Sequence, residues 1–522
     1  MFWFDNAVIY HIYPFGYCGR LDARDASKQA AENEKSPILR IIKHIPVIKE
    51  MGFNAVYIGP MFESVRHGYD TVDYTKIDPR LGTNEDFKFV CKEFKKHEIR
   101  IVLDGVFNHV GRDFWAFKDV RSNGLGSKYA NWFHVRGGNS NYNDGFYYEG
   151  WEGHYDLVKL NLYNPEVRTH LKDAISGWAR EFDIDGLRLD VAYCLELDFL
   201  RELHSHCKAI KPDFWLMGET LHGDYNKWLS PGILDSVTNY QCYKGLYSSF
   251  NDLNMFEIAH SIDRMNGMYG KKQLYIFVDN HDVSRIATAL NRAEHLAGVY
   301  TLLFTMPGVP GVYYGSEYGA TGGKRQGDDI LRPEFDIDDQ NRTGLTEVIS
   351  KLANAHAALK PLHAGDYKQV VLQNQFYAFS RSCDGETVYS LINAGASPAV
   401  FRLGGSENYT DVLSGGVYDI SKEIVLPAYG AMVLAKNYKP DSGCKKKKAE
   451  ASKLAEISKT PEPLKAPEPP KAHKTPKITE PLQTAETEAY SIIKCALEDV
   501  PDKHKVKLAR VFEKLTELYK EE

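Results

Sequence analysis

The sequence contains no apolar run long enough to cross a membrane, and its first residues do not show the pattern of a secretory leader. A membrane span needs about 20 consecutive apolar residues, and no segment of the 522 residues approaches that length. The first six residues, Met1-Phe-Trp-Phe-Asp-Asn, lack both the basic region and the apolar region of a signal peptide. We therefore expect no membrane partner and a cytoplasmic location.

Paired cysteines are also missing. The eight cysteines are scattered, and no two of them form a Cys-x-x-Cys pair. This spacing speaks against a structural zinc site and against a thioredoxin-like redox site. Several of these cysteines lie inside apolar segments, where a free thiol behaves as a small apolar group. Such an inventory is typical of a protein from a reducing compartment.

An excess of charge of one sign is absent as well. The 64 Lys and Arg residues nearly balance the 70 Asp and Glu residues, so the net charge is −6. A charge this small on a chain of this length gives no electrostatic reason to expect a nucleic acid partner. Aromatic residues are abundant instead, at 12% of the chain with 32 tyrosines. They either fill a large core or stack on the apolar faces of sugars, and composition leaves both interpretations open.

Four short apolar runs each end in a carboxylate, and they are the most informative feature of the chain. Runs of this length, rich in Val, Ile, Leu and aromatics, suit strands that are buried on both faces. The runs are Ile99–Asp104, Gly186–Asp190, Phe214–Glu219 and Leu274–Asp282. Parallel strands would aim these acids at one patch, which in a (β/α)₈ barrel is the carboxyl-terminal mouth.

The order of segments predicts an α/β fold built on a TIM barrel. Strand-like and helix-like patterns alternate from about residue 7 to residue 358, which indicates a parallel sheet with crossover helices. The alternating patterns that follow predict a small antiparallel β-domain. We predict the (β/α)₈ barrel over 1–109 and 162–362, an inserted domain over 110–161, a C-terminal β-sandwich over 363–438, a Lys/Pro-rich linker over 439–485, and a helical hairpin tail over 486–522.

Two segments have more than one interpretation. Residues 110–161 are rich in Gly, Asn and aromatics, and we expect a small domain that shapes the cleft; a floppy surface loop is the alternative. Residues 486–522 carry apolar residues at helical spacing, but two short helices bury little surface alone. This tail either docks, on this protein or on a partner such as a second copy in a homodimer, or folds weakly.

The apolar runs also carry motifs that resemble a known family. Asp104-Gly-Val-Phe-Asn-His109, Gly186-Leu-Arg-Leu-Asp190, Glu219 after Leu-Met-Gly, and Phe277-Val-Asp-Asn-His-Asp282 resemble, in order and spacing, four signature regions of the α-amylase family of glycoside hydrolases. Leu157-Val-Lys-Leu-Asn161 resembles the fifth region. The resemblance runs from Phe2 to about Lys436 and implies the barrel, the inserted domain and the C-terminal β-domain.

The resemblance implies a role for each of eight residues. Asp190 is the expected nucleophile, Glu219 the expected general acid and base, and Asp282 the expected ligand of substrate hydroxyls that favours an oxocarbenium-like transition state. The substrate-binding residues implied are Tyr69, which would stack on the sugar, His109 and His281, which would donate hydrogen bonds to it, and Asp104, which would hold Arg188 in place.

Elementary chemistry makes a matching demand on the two main carboxyls. A retaining glycosidase needs them about 5–5.5 Å apart, one ionised and one protonated. Arg188 lies two residues before Asp190, so both side chains point to the same side of the strand, and the cation would keep Asp190 ionised. Glu219 must keep its proton, and nearby negative charge would raise its pKa.

The substrate class follows from the resemblance as well. Leu157–Asn161 is closest to the form found in the neopullulanase and cyclomaltodextrinase group, which implies hydrolysis of α-1,4 bonds in maltooligosaccharides, cyclodextrins or related α-glucans. A transglycosylase or a glucoside phosphorylase is the alternative on the same fold, because the sequence does not identify the acceptor. A non-catalytic scaffold is disfavoured, since all three carboxylates are present.

Calcium is the one cofactor that the resemblance raises. In many α-amylases an Asn equivalent to Asn108, an acid of the inserted domain and a His just after the nucleophile motif shape a Ca²⁺ site. This chain has Tyr193-Cys194 where that His would stand. We therefore expect no metal and no other cofactor.

Overall fold

Eight parallel strands form the centre of the molecule. The structure is a computed structural model that describes residues 2–21 and 36–439. The predicted tail, and the predicted linker from residue 440 onward, lie outside the described residues. The barrel strands are β1 (Ile9–Ile12), β2 (Ala55–Ile58), β3 (Arg100–Gly105), β4 (Gly186–Leu189), β5 (Trp215–Gly218), β6 (Ser236–Val237), β7 (Tyr275–Phe277) and β8 (Val309–Tyr313).

The strands pair in the order β6-β5-β4-β3-β2-β1-β8-β7, every pair parallel. A single bridge between Thr238 and Tyr275 joins the two ends of this order, so the sheet closes on itself. The predicted (β/α)₈ barrel is therefore confirmed.

Helices surround the barrel, and most of them connect one barrel strand to the next. Their bounds are α1 (Ile41–Glu50), α2 (Asn84–Lys96), α3 (Pro165–Phe182), α4 (Leu197–Ile210), α5 (Tyr240–Asn251), α6 (Met255–Tyr269), α7 (Leu296–Thr305) and α8 (Gly344–Ala358). The start of α3 shows why local sequence sets these bounds. Asn164 Oδ1 accepts the backbone N–H of Glu166 at 2.8 Å, and Pro165 occupies the first helical position, where no N–H is needed.

Side chains inside the barrel form a packed core. Alternate residues of the strands point inward, and they include Ile9, Tyr57, Val102, Trp215 and Phe277. A short 3₁₀ helix, Trp3–Asn6, packs on Trp215 at the amino end of the barrel. The ring centroid of Trp215 lies 5.9 Å from that of Trp3 and 6.0 Å from that of Phe4. The amino end of the barrel is thus covered by aromatic rings, and the carboxyl end carries polar side chains.

The segment between β3 and α3 is folded. Strands His109–Gly111, Gly150–Trp151 and His154–Lys159 form a three-stranded antiparallel sheet, and a helix spans Trp115–Asn123. Aromatic side chains of this segment are buried against one another: they are Phe117, Phe133, Phe146 and Tyr148. The aromatic content of residues 110–161 therefore serves in large part as a core, which a floppy loop would lack.

An all-β domain follows the barrel. Its strands are β9 (Asp366–Leu372), β10 (Phe376–Cys383), β11 (Glu386–Asn393), β12 (Ala399–Phe401), β13 (Asn408–Asp411), β14 (Val417–Asp419), β15 (Ile424–Leu426) and β16 (Ala431–Ala435). Six of them form an antiparallel sheet in the order β9-β10-β11-β16-β13-β14, and β12 pairs with β15. Side chains of the β12–β15 pair share one apolar cluster with β11 and β16, so the domain has two layers.

Local hydrogen bonding sets the ends of two further elements. Strand β6 ends at Val237, because Asn239 Oδ1 accepts the N–H of Cys242 at 3.1 Å and starts α5. Helix α4 begins at Leu197, since Ala192–Cys194 forms a separate 3₁₀ turn. Among the described residues, no helix is long and apolar enough to cross a membrane.

Candidate active site

The barrel strands bring the acidic ends of the four apolar runs to one place. In the sheet Arg188 of β4 lies opposite Asp104 of β3 on one side and Met217 of β5 on the other. Leu187 and Leu189 pack outward into the helix layer, so Arg188 faces the barrel axis. Asp190 and Glu219 follow directly after their strands, at the carboxyl-terminal mouth.

One guanidinium connects three carboxylates. Arg188 Nη1 lies 2.9 Å from Asp104 Oδ1 and 2.7 Å from Asp190 Oδ1, and Arg188 Nη2 lies 2.7 Å from Glu219 Oε1. All four side chains are buried. Because a single planar group contacts both Asp190 and Glu219, these carboxyls flank the same small space, as a retaining glycosidase requires.

Burial, rather than charge, has the largest effect on the protonation of this pair. Burial raises the pKa of Asp190 well above its ordinary value, although Arg188 acts to lower it. Burial also raises the pKa of Glu219; Arg188 opposes that rise and the negative charge of Asp282 adds to it. The sequence prediction considered only the neighbouring charges and missed burial. Because the two carboxyls interact, their titration steps belong to the pair rather than to either residue alone.

Glu219 receives a second hydrogen bond from the backbone. The N–H of Val191 donates to Glu219 Oε2 at 2.9 Å. Val191 adopts a left-handed backbone conformation, with φ +40°, which is rare for a β-branched residue. The turn after the β4 strand is therefore shaped so that its backbone fixes the orientation of Glu219.

Asp282 is held as an ionised group. His281 Nε2 lies 2.9 Å from Asp282 Oδ2, and Arg332 Nη2 lies 2.9 Å from Asp282 Oδ1. Burial alone would raise the pKa of Asp282, but the charges of His281 and Arg332 hold it below its usual range. Asp282 therefore supplies two fixed acceptor oxygens for the hydroxyls of a bound sugar.

Tyr69 and His109 complete the set that the sequence predicted. The Tyr69 hydroxyl contacts His281 Nε2 and lies 3.4 Å from Asp104 Oδ2. His109 Nδ1 accepts a hydrogen bond from the Asn108 side-chain amide at 3.1 Å. The ring proton therefore resides on Nε2. This nitrogen lies 3.8 Å from Asp190 Oδ2. Burial lowers the pKa of His109 to about 3. A neutral imidazole is thus presented with its Nε2–H toward the cleft.

Three residues of the site were missed by sequence reasoning. Arg332 contacts Asp282 and also donates from Nε to the His281 carbonyl at 3.0 Å. Its guanidinium lies over the Tyr13 ring, 4.6 Å from the centroid. Tyr57 donates to Asp104 Oδ2 at 2.8 Å. Tyr13 directly follows β1 and Tyr57 lies in β2, so their positions on apolar, strand-like segments could have pointed to them. No sequence pattern pointed to Arg332.

The donor set near Asn108 does not fit a calcium ion. The Asn108 side chain is buried, and its amide nitrogen faces His109. Burial raises the pKa of the Cys194 thiol to about 11, so it stays protonated and is no ligand for a hard cation. Within residues 2–21 and 36–439, no three His, Cys, Asp or Glu side chains converge as a metal site would require.

Comparison with known proteins agrees with this geometry. The alpha-amylase catalytic domain, as a family, matches residues 38–357. A maltogenic alpha-amylase of Bacillus acidopullulyticus is 32% identical over 77% of this chain and 71% of its own length. A cyclomaltodextrinase of Geobacillus thermopakistaniensis is 30% identical over 83% of this chain and 77% of its own length. A ligand-free structure of the cyclic alpha-maltosyl-(1→6)-maltose hydrolase from Arthrobacter globiformis is 30% identical, with a TM-score of 0.73 over 84% of this chain and all of that one. The chain therefore belongs to the alpha-amylase family of glycoside hydrolases.

Proposed function

We propose that the protein hydrolyses α-1,4-glucosidic bonds of maltooligosaccharides, cyclodextrins or related short α-glucans, with retention of anomeric configuration. The observation that carries this proposal is the contact of Arg188 with both Asp190 and Glu219. It is supported by the similarity to a maltogenic amylase, a cyclomaltodextrinase and a cyclic maltosyl-maltose hydrolase, all of which act on α-glucans by their names.

The proposed reaction uses the paired carboxyls in two steps. Glu219 gives its proton to the glycosidic oxygen while an Asp190 oxygen attacks the anomeric carbon, so that the glycosidic bond breaks and a glycosyl ester forms. Glu219, now ionised, takes a proton from water, and that water attacks the same carbon and releases Asp190. Arg188 stays in contact with both carboxyls, so positive charge is present whichever one is ionised.

The remaining groups are assigned to the sugar that is attacked. The ionised Asp282 would accept hydrogen bonds from two of its hydroxyls, and those bonds strengthen as the ring flattens toward the oxocarbenium-like transition state. The Nε2–H of His109 would donate to another hydroxyl. Tyr69, which is fixed through its hydroxyl by His281, would offer its ring face to the apolar face of the sugar.

The stereochemistry of the first product tests the proposed function. We expect maltotriose and β-cyclodextrin in phosphate-free buffer to release sugars whose new reducing end is the α-anomer at early times, as proton NMR of the anomeric signals would show. Initial β-anomer would contradict the proposal, since it requires direct attack by water on the opposite face. A rate that depends on added phosphate would indicate a glucoside phosphorylase instead. If the wild type and Glu219→Gln are equally inactive, the protein is better explained as a non-catalytic scaffold.

We also propose that the enzyme works without a resident metal, because the donors near Asn108 do not fit one. A cation bound at 100 times its Kd would stabilise the fold by about 2.7 kcal/mol, and its removal would lower Tm by several degrees. We expect EDTA to leave both the Tm and the rate on maltotriose unchanged. A drop in Tm that Ca²⁺ but not Mg²⁺ reverses would overturn this proposal.

Two further proposals concern the setting of the enzyme. A cytoplasmic location is supported by the six cysteines within the described residues, all of which are free thiols. A homodimer formed through residues 486–522 is supported only by the apolar spacing of that segment. The solution mass with and without residues 440–522 tests it.

A further inference from the structure

A shallow hollow of about 390 Å³ lies beside the start of helix α3, outside the catalytic site. We call it the α3 hollow, and its lining residues are Pro165, Glu166, Thr169, His170 and Asp173. All of them except the half-buried His170 are exposed, so the hollow is open to solvent. None of them belongs to the catalytic site described above.

The α3 hollow lies on the same side of the barrel as the catalytic site. Helix α3 ends at Phe182, shortly before β4 begins at Gly186. Because β4 begins at the amino end of the barrel, α3 starts at the carboxyl end, where the mouth is. Lys159 pairs with His109 in the inserted sheet. The six residues from there to Pro165 span at most about 22 Å, which is within reach of a chain of several sugars.

An exposed indole borders the α3 hollow. Trp115 is 40% exposed, and its ring centroid lies 5.8 Å from that of the lining residue His170. The rings of Tyr129 and Trp132 meet Trp115 at 88° and 71°, so neither of them stacks parallel on it. Tyr163, just before the helix, is 70% exposed as well. The hollow is therefore flanked by aromatic surface that is open to a ligand.

Hydrogen bonds fasten this aromatic wall to the start of the helix. Trp132 Nε1 donates to Glu166 Oε2 at 2.9 Å. The side-chain amides of Asn161 and Asn164 both donate to the Asn131 carbonyl, at 2.9 and 3.1 Å. The rings and the helix are thus held together without a ligand, which reduces the ordering cost of binding one.

Polar atoms remain free at the open surface of the α3 hollow. Within the described residues, the side chains of Thr169 and Asp173 make no hydrogen bond and no ion pair. They lie four residues apart on α3, so they share one face of the helix. Glu166 uses Oε2 for the indole N–H and keeps Oε1 for a ligand. His170 contributes only its ring, because its Nε2 is buried.

The charges around the α3 hollow favour a neutral ligand. Its two carboxylates repel an anion. They would attract a cation, but bases are already present: Arg168 and Lys172 each directly precede a lining residue of α3. Lys128 Nζ also lies over the Tyr129 ring, 4.7 Å from its centroid. A nearly balanced charge beside aromatic surface and free oxygens suits a molecule with hydroxyl groups and an apolar face, which describes a sugar.

We infer that Trp115 and the α3 hollow form a second binding site for an α-glucan chain, separate from the catalytic site. The indole would pack on the apolar face of a sugar, and Glu166, Thr169 and Asp173 would hydrogen-bond to its hydroxyls. The choice of an α-glucan rests on the proposed function, whereas the preference for a sugar rests on the hollow itself. The site would hold the outer chains of a large glucan near the mouth of the barrel.

Binding of glycogen tests the inference without requiring hydrolysis. Affinity electrophoresis in native gels would compare glycogen with a soluble β-glucan, and every protein would carry Glu219→Gln so that the glycogen is not degraded. We expect glycogen to retard the protein, and Trp115→Ala to weaken this binding at least five-fold. Equal retardation by the β-glucan would overturn the assignment to an α-glucan.

A second variant keeps the test valid if Trp115→Ala does not fold. Thr169→Arg would place a long side chain across the α3 hollow from an exposed helical position, and it should weaken binding as strongly. Phe256→Ala is the matched control: Phe256 is 46% exposed on the distant helix α6, and its loss should leave binding unchanged. If Trp115→Ala and Thr169→Arg both bind glycogen as the parent protein does, the inference is wrong. Saturable binding of a lysine oligomer in place of glycogen would also overturn it.

The rate on maltotriose separates this inference from the proposed function. In the enzyme that retains Glu219, Trp115→Ala should leave kcat/KM on maltotriose unchanged, because a short substrate occupies only the catalytic site. A loss on maltotriose as large as the loss of glycogen binding would place Trp115 in the catalytic site and overturn a separate one. If the wild type does not cleave maltotriose but glycogen still retards it through Trp115, the proposed function fails and the binding site stands.

Discussion

Asp190→Asn is expected to lower kcat on maltooligosaccharides by roughly 10⁵-fold, the order seen when an enzyme nucleophile is removed. An amide cannot form the glycosyl ester, and Arg188 would still occupy its place between Asp104 and Glu219. The fold should not suffer. Burial raises the pKa of Asp190, so its ionised form is disfavoured in the native state, and an uncharged side chain there leaves Tm unchanged or raises it.

The matched control for this substitution is Glu317→Gln. Glu317 is fully buried, and burial raises its pKa to about 7. Its carboxyl accepts from the Tyr10 hydroxyl, away from the three catalytic acids. We expect this variant to keep wild-type kcat. Steady-state kinetics and thermal unfolding of both variants measure kcat and Tm. A kcat of Asp190→Asn above about a hundredth of the wild-type value would show that Asp190 is not the nucleophile.

The part of this site that could be predicted from sequence has a local signature. Asp104, Asp190 and Glu219 each end an apolar run that must be a strand buried on both faces. Parallel strands in a barrel all point the same way, so the meeting of these acids follows from strand recognition alone. The start of α3 at Asn164 and Pro165 has an equally local signal in the sequence, since capping depends on the adjacent backbone.

The part that could not be predicted depends on contacts between distant loops. Arg332 lies 50 residues after Asp282 in the chain, in a segment beyond β8 without periodicity. Only the folded barrel brings the two together. The main cause of the pKa shifts of Asp190 and Glu219 could not be predicted for a related reason. Sequence reasoning counted neighbouring charges, whereas burial depends on how all the residues around the carboxyl-terminal end of the barrel pack together.

Arg188→Met is the second substitution with a large expected effect, here on the pH dependence. An opposite charge at contact distance lowers a carboxyl pKa by about 1–3 units. Loss of the guanidinium should therefore move the acidic limb of the kcat/KM profile upward by about that amount, because the ionised member of the pair is formed only at higher pH. We also expect kcat/KM at its optimum to fall by roughly 10³-fold, as preorganised charge is lost.

The stability of the same variant should depend on pH with a definite sign. Without Arg188, the pKa values of the buried Asp190 and Glu219 lie even further above those of the unfolded chain. Protonated carboxyls carry no charge that must be buried unpaired, so Arg188→Met should approach wild-type stability in acid and lose about 3–5 kcal/mol relative to it as pH rises toward neutrality.

Arg332→Met is the matched control, since it removes a buried guanidinium that contacts Asp282 but neither member of the pair. It should raise KM without moving the acidic limb. Urea unfolding between pH 4 and 8 measures the change in stability, and the pH profiles of kcat/KM measure the shift of the acidic limb. An unshifted acidic limb in Arg188→Met would mean that Arg188 does not set the protonation of the catalytic pair.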